Sequence, residues 1–288
     1  MSDLKTLFIG GGNMAKAIIA GLIAAKYNPK NIFVVDRNAD KRLRLTQEYG
    51  IQAQENWGNT LNNIDVIVLA IKPQSAEKIC YLLAPLINSR PILIISIMAG
   101  ITTFTLESWL GSQLSIIRAM PNTPAFIQAS ATGLFANKNT SLENKQYVEK
   151  CMSAIGQIAW LEHESDINTI TALSGSGPAY FYYFMECMQT TAIKMGLTPE
   201  IARKFTLQTA YGAAKLALES GLNIETLRAN VTSKGGTTQA ALESMQENKM
   251  DEMIENAMLA AQQKGIEFSH HFEETVPARL DTDILKSE

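Results

Sequence analysis

A doubly wound α/β domain followed by an all-helical domain is predicted by three observations. Short β-rich runs alternate with helical patterns through about the first 160 residues. One of these runs, Asp65 to Ile71, is almost continuously apolar, as a strand is when helices cover both faces of its sheet. After about residue 161 the strand signals stop and long helical segments remain. The length of 288 residues suits two domains at about 150 residues each.

Strands are expected at Leu4 to Ile9, Ile32 to Asp36, Asp65 to Ile71, Ile92 to Ile97, Ser115 to Ala119, Thr132 to Ala136 and Gln157 to Trp160. Helices are expected among them at Ala15 to Ala25, Asp40 to Tyr49, Ser75 to Leu86, Thr103 to Leu110 and Leu142 to Ile155. Such alternation predicts a mostly parallel sheet. In the second half Pro178 to Met195 is helical, and Thr198-Pro199 supplies an N-cap and an N1 proline for a helix ending near Gly221. A short helix over Ile224 to Ala229 comes next, then one from Thr237, then one from Met250 to Lys264 that Gly265 closes. The domains are therefore placed at 1–161 and 162–276, with a polar, frayed tail at 277–288. A change of period marks the boundary, with no linker composition, so close packing of the domains is expected.

Composition narrows the function. Lys plus Arg number 25 and Asp plus Glu 28, a net charge of −3, which makes a poor nucleic-acid surface. Apolar stretches such as Ile92 to Met98 fall far short of the ~20 residues that span a bilayer, so no membrane partner is expected. Residues 7–25 are apolar, but Gly10, Gly11, Gly12 and Asn13 interrupt them and no basic segment precedes them, unlike a signal peptide. Cys80, Cys151 and Cys187 are dispersed, which supports neither a disulfide framework nor a metal site. A reduced, cytoplasmic setting is expected.

Gly10-Gly11-Gly12-Asn13-Met14-Ala15 fits G-x-G-x-x-A between a strand and a helix, the context of a Rossmann-type dinucleotide site. Gly10 permits the tight turn, Gly12 lets a pyrophosphate approach the backbone, and the helix N-terminus favours its charge. The second strand ends in Asp36-Arg37-Asn38. Asp36 suits the ribose 2′-hydroxyl of NAD(H); Arg37, with Lys41 and Arg42, suits the 2′-phosphate of NADP(H) or a solvated helix start. The sequence leaves both cofactors open. Ala70-Ile71-Lys72-Pro73-Gln74 ends a core strand at the edge where ligands bind in such sheets; Lys72 could meet phosphate or ribose, and Pro73 could merely end the strand.

Val231-Thr232-Ser233-Lys234-Gly235-Gly236-Thr237-Thr238 precedes a helical segment and lacks the Walker A spacing. Two glycines and four hydroxyls at a helix start make a cradle for a carboxylate or phosphate, although the hydroxyls could be ordinary caps. Leu173 to Tyr180 offers small residues for close backbone approach, or simply a helix start at Pro178. The histidines, His163, His270 and His271, lie outside the glycine loops. Reduction of a ketone normally needs an acid/base, whereas a protonated imine is already electrophilic and needs only hydroxyl donors and placement.

Taken together, the Gly10 to Ala15 turn, Ala70 to Gln74, Arg118 to Pro124, Leu173 to Tyr180 and Val231 to Thr238 resemble the pyrroline-5-carboxylate reductase family, in family order across about residues 4 to 268. Lys234 departs from the proline common at its position, and Asp36 from the neutral residue common in NADP-preferring members. The resemblance implies NAD(P)H-dependent reduction of 1-pyrroline-5-carboxylate to L-proline. It also implies a homodimer through the helical domain, in many members a ring of dimers, with the substrate loop meeting the cofactor across the subunit boundary. Gly11, Gly12, Asn13 and Met14 would carry the pyrophosphate; Ala70, Lys72 and Pro73 the ribose–nicotinamide end; Asn56 is assigned to the cofactor with them. Ser233 and the N–H groups of Gly236 and Thr237, with Gly235 shaping the loop, would hold the carboxylate, and Thr238 would bond the ring nitrogen. A hydroxy-acid dehydrogenase of similar plan would instead rely on a lysine such as Lys194, and would leave the second loop unexplained. A non-catalytic dinucleotide sensor would bind cofactor without turnover.

Overall fold

The structure is a computed structural model that describes residues 4–87, 90–111, 113–274 and 276. The expected frayed tail at 277–288 lies outside the described residues.

The first half alternates as expected: β1 (Thr6–Ile9), α1 (Asn13–Ala24), β2 (Ile32–Val35), α2 (Ala39–Tyr49), β3 (Gln52–Gln54), β4 (Val66–Leu69), α3 (Ala76–Ile87), β5 (Leu93–Ser96), α4 (Thr103–Leu110), β6 (Ser115–Met120), β7 (Ser130–Ala136), α5 (Leu142–Ser153) and β8 (Gly156–Trp160). Among the described residues these strands form one eight-stranded sheet in the order β3-β2-β1-β4-β5-β6-β7-β8. Every neighbouring pair is parallel except β6 with β7. The edge strand β3 went unread in the sequence because Gln52-Ala53-Gln54 is polar and short, and pairs on one side alone.

Alternate residues of the central strands feed opposite cores, which is why runs such as β2 and β4 lack polar positions. Phe8, Val34, Val68 and Ile95 pack with Ile18 and Ile19 of α1 and with Val148 and Met152 of α5. Leu7, Ile67, Ile94 and Ile116 pack on the other side with Leu83 of α3 and Leu106 and Trp109 of α4.

The helical half comprises α6 (Asp166–Ile170), a π-helical turn (Thr171–Gly175), α7 (Gly177–Lys194), α8 (Pro199–Glu219), α9 (Ile224–Asn230), α10 (Thr237–Glu247) and α11 (Met250–Glu274). The Thr198 hydroxyl accepts the Ile201 N–H, the capping role expected of it. Gly265 does not close a helix. It is buried inside α11, where a Cβ would stand 3.0 Å from Asn168 Oδ1, so its smallness serves helix–helix approach. The chain divides into two compact units, one running through Ser176 and resuming at Ala261, the other Gly177–Ala260. The change of sequence period near residue 161 is thus not the packing boundary: α6, the π turn and the end of α11 join the sheet unit. Phe272 of α11 meets Trp109 edge-on, with ring centroids 6.4 Å apart.

Candidate active site

Strand order reverses between β1 and β4, and in such sheets ligands bind outside the C-terminal ends of the strands at that reversal. Gly10 and Ala70 stand there. Gly10 has φ +100°, and a Cβ on it would overlap the Ala70 carbonyl oxygen. A Cβ on Gly11 would press on Leu45 Cδ1 at 3.0 Å and Val34 Cγ1 at 3.2 Å. Gly12 is different, because nothing lies within 4 Å of where its Cβ would be. Packing within the sheet unit accounts for the first two glycines. The third keeps a space open, as a pyrophosphate lying against the backbone requires.

Gly12 is the N-cap of α1, no side chain caps it, and the first turn holds no acidic residue. The first intrahelical bond is Lys16 N–H to Gly12 C=O, so the N–H groups of Asn13, Met14 and Ala15 have no acceptor within the helix. By contrast, side chains of Asn38, Thr102, Ser141, Thr198 and Asn223 cap α2, α4, α5, α8 and α9. The bare, partly positive end of α1 suits a diphosphate. These residues therefore fit a dinucleotide.

Asp36 directly follows β2. Its Oδ2 accepts the Gly11 N–H at 2.9 Å and its Oδ1 the Asn38 N–H at 2.8 Å. The Lys41 ammonium lies 3.5 Å from Oδ2. Burial acts to raise the Asp36 pKa, but the Asn38 and Gly11 amides and the Lys41 charge outweigh it, and the carboxyl is held below its ordinary value. Arg42 turns inward and donates to the carbonyls of Asp36 at 2.7 Å and Arg37 at 3.0 Å, while Arg37 itself is exposed. Asn56 is exposed just past β3 on the same sheet edge, and Lys72 is exposed just before the 3₁₀ turn Pro73–Ser75.

The second loop belongs to the helical unit. Gly235 has φ +71°, which favours glycine, and its N–H donates to Gln239 Oε1 at 2.7 Å. Gly236 is the N-cap of α10, again without a side-chain cap or an acidic first turn. A Cβ there would stand 2.5 Å from Ser233 Oγ, so this glycine gives the serine hydroxyl its place. The Gly236 N–H, expected to face the carboxylate, donates instead to the Ser233 carbonyl at 3.0 Å and closes the turn. The first intrahelical bond is Ala240 N–H to Gly236 C=O, which leaves the amides of Thr237, Thr238 and Gln239 at the open end. Thr232 Oγ1 donates to the Arg228 carbonyl at 2.6 Å and so serves the end of α9. Lys234 is exposed, and Lys194, the catalytic residue of the rival scheme, is exposed in the last turn of α7.

Two further motifs prove to be one assembly. Asn122 Nδ2 donates to the Ser174 carbonyl in the π turn at 2.9 Å, and a Cβ on Gly175 would stand 2.8 Å from Met120 Cε. Arg118 is almost fully buried and its Nη1 donates to Glu164 Oε1 at 2.9 Å. Glu164 also accepts the Thr103 N–H and hydroxyl, each at 2.6 Å. Sequence reasoning missed Glu164, since an isolated glutamate before a helix carries no signal of a partner 46 positions away.

Residues 164–268 match the family described as pyrroline-5-carboxylate reductase dimerisation, and residues 5–100 the one described as NADP oxidoreductase, coenzyme F420-dependent. A curated pyrroline-5-carboxylate reductase from Pseudomonas aeruginosa is 41% identical over 269 residues, 93% of this chain and 98% of that protein. The chain belongs to the pyrroline-5-carboxylate reductase family. The reductase from Vibrio alginolyticus is 39% identical over 94% of this chain and the whole of that one. Among solved structures, the pyrroline-5-carboxylate reductase of Coxiella burnetii superposes with a TM-score of 0.88 at 41% identity, covering 93% of this chain and 99% of that chain. The pyrroline carboxylate reductase of Plasmodium falciparum with NADP bound superposes with a TM-score of 0.83 at 29% identity, covering 93% and 99%.

Proposed function

We propose that this member of the pyrroline-5-carboxylate reductase family reduces 1-pyrroline-5-carboxylate to L-proline with NADH or NADPH. The observation that carries the reading is the pair of glycine-capped helix starts, at Gly12 and Gly236, both lacking a side-chain cap and a first-turn acid. Each is suited to an anion, one to the dinucleotide diphosphate and one to the substrate carboxylate.

A dinucleotide bound on the first supplies the hydride that saturates the C=N carbon. The chain's own part is placement and proton management. Asn13, Met14 and Ala15 present amides to the diphosphate from a bend that Gly10 keeps tight against Ala70. Ala70, Lys72 and Pro73 border the crevice where the ribose–nicotinamide end belongs. In the second loop the Ser233 hydroxyl and the Thr237 amide hold the carboxylate. Thr238, half-buried in the first turn of α10, directs its hydroxyl to the ring nitrogen, which becomes a more basic amine as the double bond is lost. Such a site needs no histidine, because the protonated imine carbon accepts hydride without further acid catalysis.

The protein acts as a homodimer through its helical unit, with rings of dimers as the larger assembly. Support lies in the apolar surface of α7 and α8 in the single chain: Phe181, Tyr183 and Phe205 are more than 60% exposed and Leu218 is 83% exposed. Among the described residues no helix is long and apolar enough to cross a membrane, and a cytoplasmic place suits the reduced thiols.

The deciding experiment follows NADH and NADPH absorbance with purified protein and 1-pyrroline-5-carboxylate. Oxidation of one cofactor with stoichiometric proline is expected. Binding of both cofactors without turnover would transfer the chain to a hydroxy-acid substrate, tested next through Lys194, or to a sensor role.

A further inference from the structure

Resting on the reductase reading, we infer that Asp36 makes the dinucleotide site discriminate against a 2′-phosphate, so that NADH is the preferred hydride donor. The residue after the second strand of such a sheet meets the adenosine ribose, where a carboxylate accepts the 2′-hydroxyl and repels a phosphate in its place. In the sequence, Asp36 is opposed by three nearby cations, Arg37, Lys41 and Arg42. The structure decides the contest by showing which of them are free to act.

Asp36 is not a mobile surface group. Its side chain is 13% exposed, and its two oxygens separately hold the N–H groups of Gly11 and Asn38. Gly11 is buried, so turning the carboxylate away would leave a buried amide without an acceptor. The group that fixes the glycine turn therefore stays at the ribose position. It stays ionised as well, since its carboxyl is held below the ordinary range. A carboxylate has about four lone-pair directions, so it can keep both amides and still accept a ribose hydroxyl.

The cations are differently committed. Arg42 is bonded to the carbonyls of Asp36 and Arg37, which braces the turn and points its charge into the backbone. Lys41 lies 3.5 Å from Asp36 and partly cancels that one charge. Arg37 remains exposed, so its charge is hydrated and set on a flexible side chain. A 2′-phosphate would thus bring about two negative charges against a fixed carboxylate, with exposed Arg37 and a Lys41 already shared with Asp36 to meet them.

Calorimetric titration of the whole protein, without substrate, tests this with NADH, NADPH, ADP-ribose and 2′-phospho-ADP-ribose. NADH and ADP-ribose are expected to bind at least tenfold more tightly than their phosphorylated counterparts. Asp36→Asn, which keeps an acceptor for one backbone amide and so preserves the fold, should shrink that ratio to threefold or less. Asp36→Ser should bring it to unity or invert it. Arg37→Ala should widen it, because the lost cation favours the phosphorylated ligands alone. Equal or tighter binding of the 2′-phosphorylated ligands, or an unaltered ratio in both Asp36 variants, would overturn the inference while leaving the reductase reading intact. Absence of binding by all four ligands would overturn both.

Discussion

Thr238 and Ser233 share one loop but are assigned different work, and kinetics separates them. In the proposed mechanism Thr238 bonds the atom whose basicity changes during reduction, so its loss would fall on the transition state. Thr238→Ala is expected to lower kcat/KM roughly 30- to 150-fold, the worth of about 2–3 kcal/mol for one lost active-site donor. The carboxylate assigned to Ser233 in the proposed mechanism is present in ground and transition states alike, so Ser233→Ala should mainly raise KM. Steady-state kinetics on both variants decides it: an unchanged kcat/KM in Thr238→Ala, or a large kcat loss at constant KM in Ser233→Ala, would remove the assigned roles. The loop itself was legible in the sequence because hydroxyls around Gly235-Gly236 form a local pattern. That the Gly236 amide is spent on the Ser233 carbonyl was not legible, because the turn type depends on backbone angles that two glycines leave open.

At the scale of the element, the strand–turn–helix of β1 and α1 separates a glycine that packing requires from one that packing leaves free. Gly10→Ala puts a methyl against the Ala70 carbonyl at φ +100° and should unfold the turn. Gly12→Ala adds a methyl to open space at φ −74°. It should leave the melting temperature within a few degrees and weaken dinucleotide binding tenfold or more. Thermal denaturation beside a binding titration checks both; undiminished affinity in Gly12→Ala would disconnect the bare helix end from the cofactor. Gly265 teaches the opposite lesson. A glycine after a basic residue near the end of a helical pattern reads as a C-cap, yet it serves the approach of α11 to Asn168, a contact from nearly a hundred positions earlier.

Across the whole molecule, the ion pair of buried Arg118 with half-buried Glu164 joins β6 to the chain just before α6 and to the start of α4 through Thr103. Burial lowers the Arg118 pKa, with Glu164 and Glu273 opposing it. Its Nε and Nη2 find no acceptor among the described residues. The pair is therefore expected to matter less for what it adds than for the damage when half of it is removed. Arg118→Met should cost about 3 kcal/mol in denaturant unfolding, and adding Glu164→Met should recover much of that loss. A cost below about 1 kcal/mol for the single variant would mean that Glu164 is satisfied by Thr103 and water alone.

Local chemistry made much of this protein readable from its residues alone: strands and helices with clear periods, the glycine turn, the hydroxyl-rich loop, and the family these motifs resemble. Such features depend on neighbours a few residues apart, where steric limits and hydrogen-bond reach leave few alternatives. Features that depend on distant partners were settled by the tertiary structure. It placed the end of α11 against Trp109, joined Asn122 to the π turn, and tied Asp36 to the Gly11 amide across β1 and β2. That last bond converts an ambiguous acidic residue into a fixed charge, because a buried amide holds it in place and a linear sequence does not reveal which amide will be buried beside it.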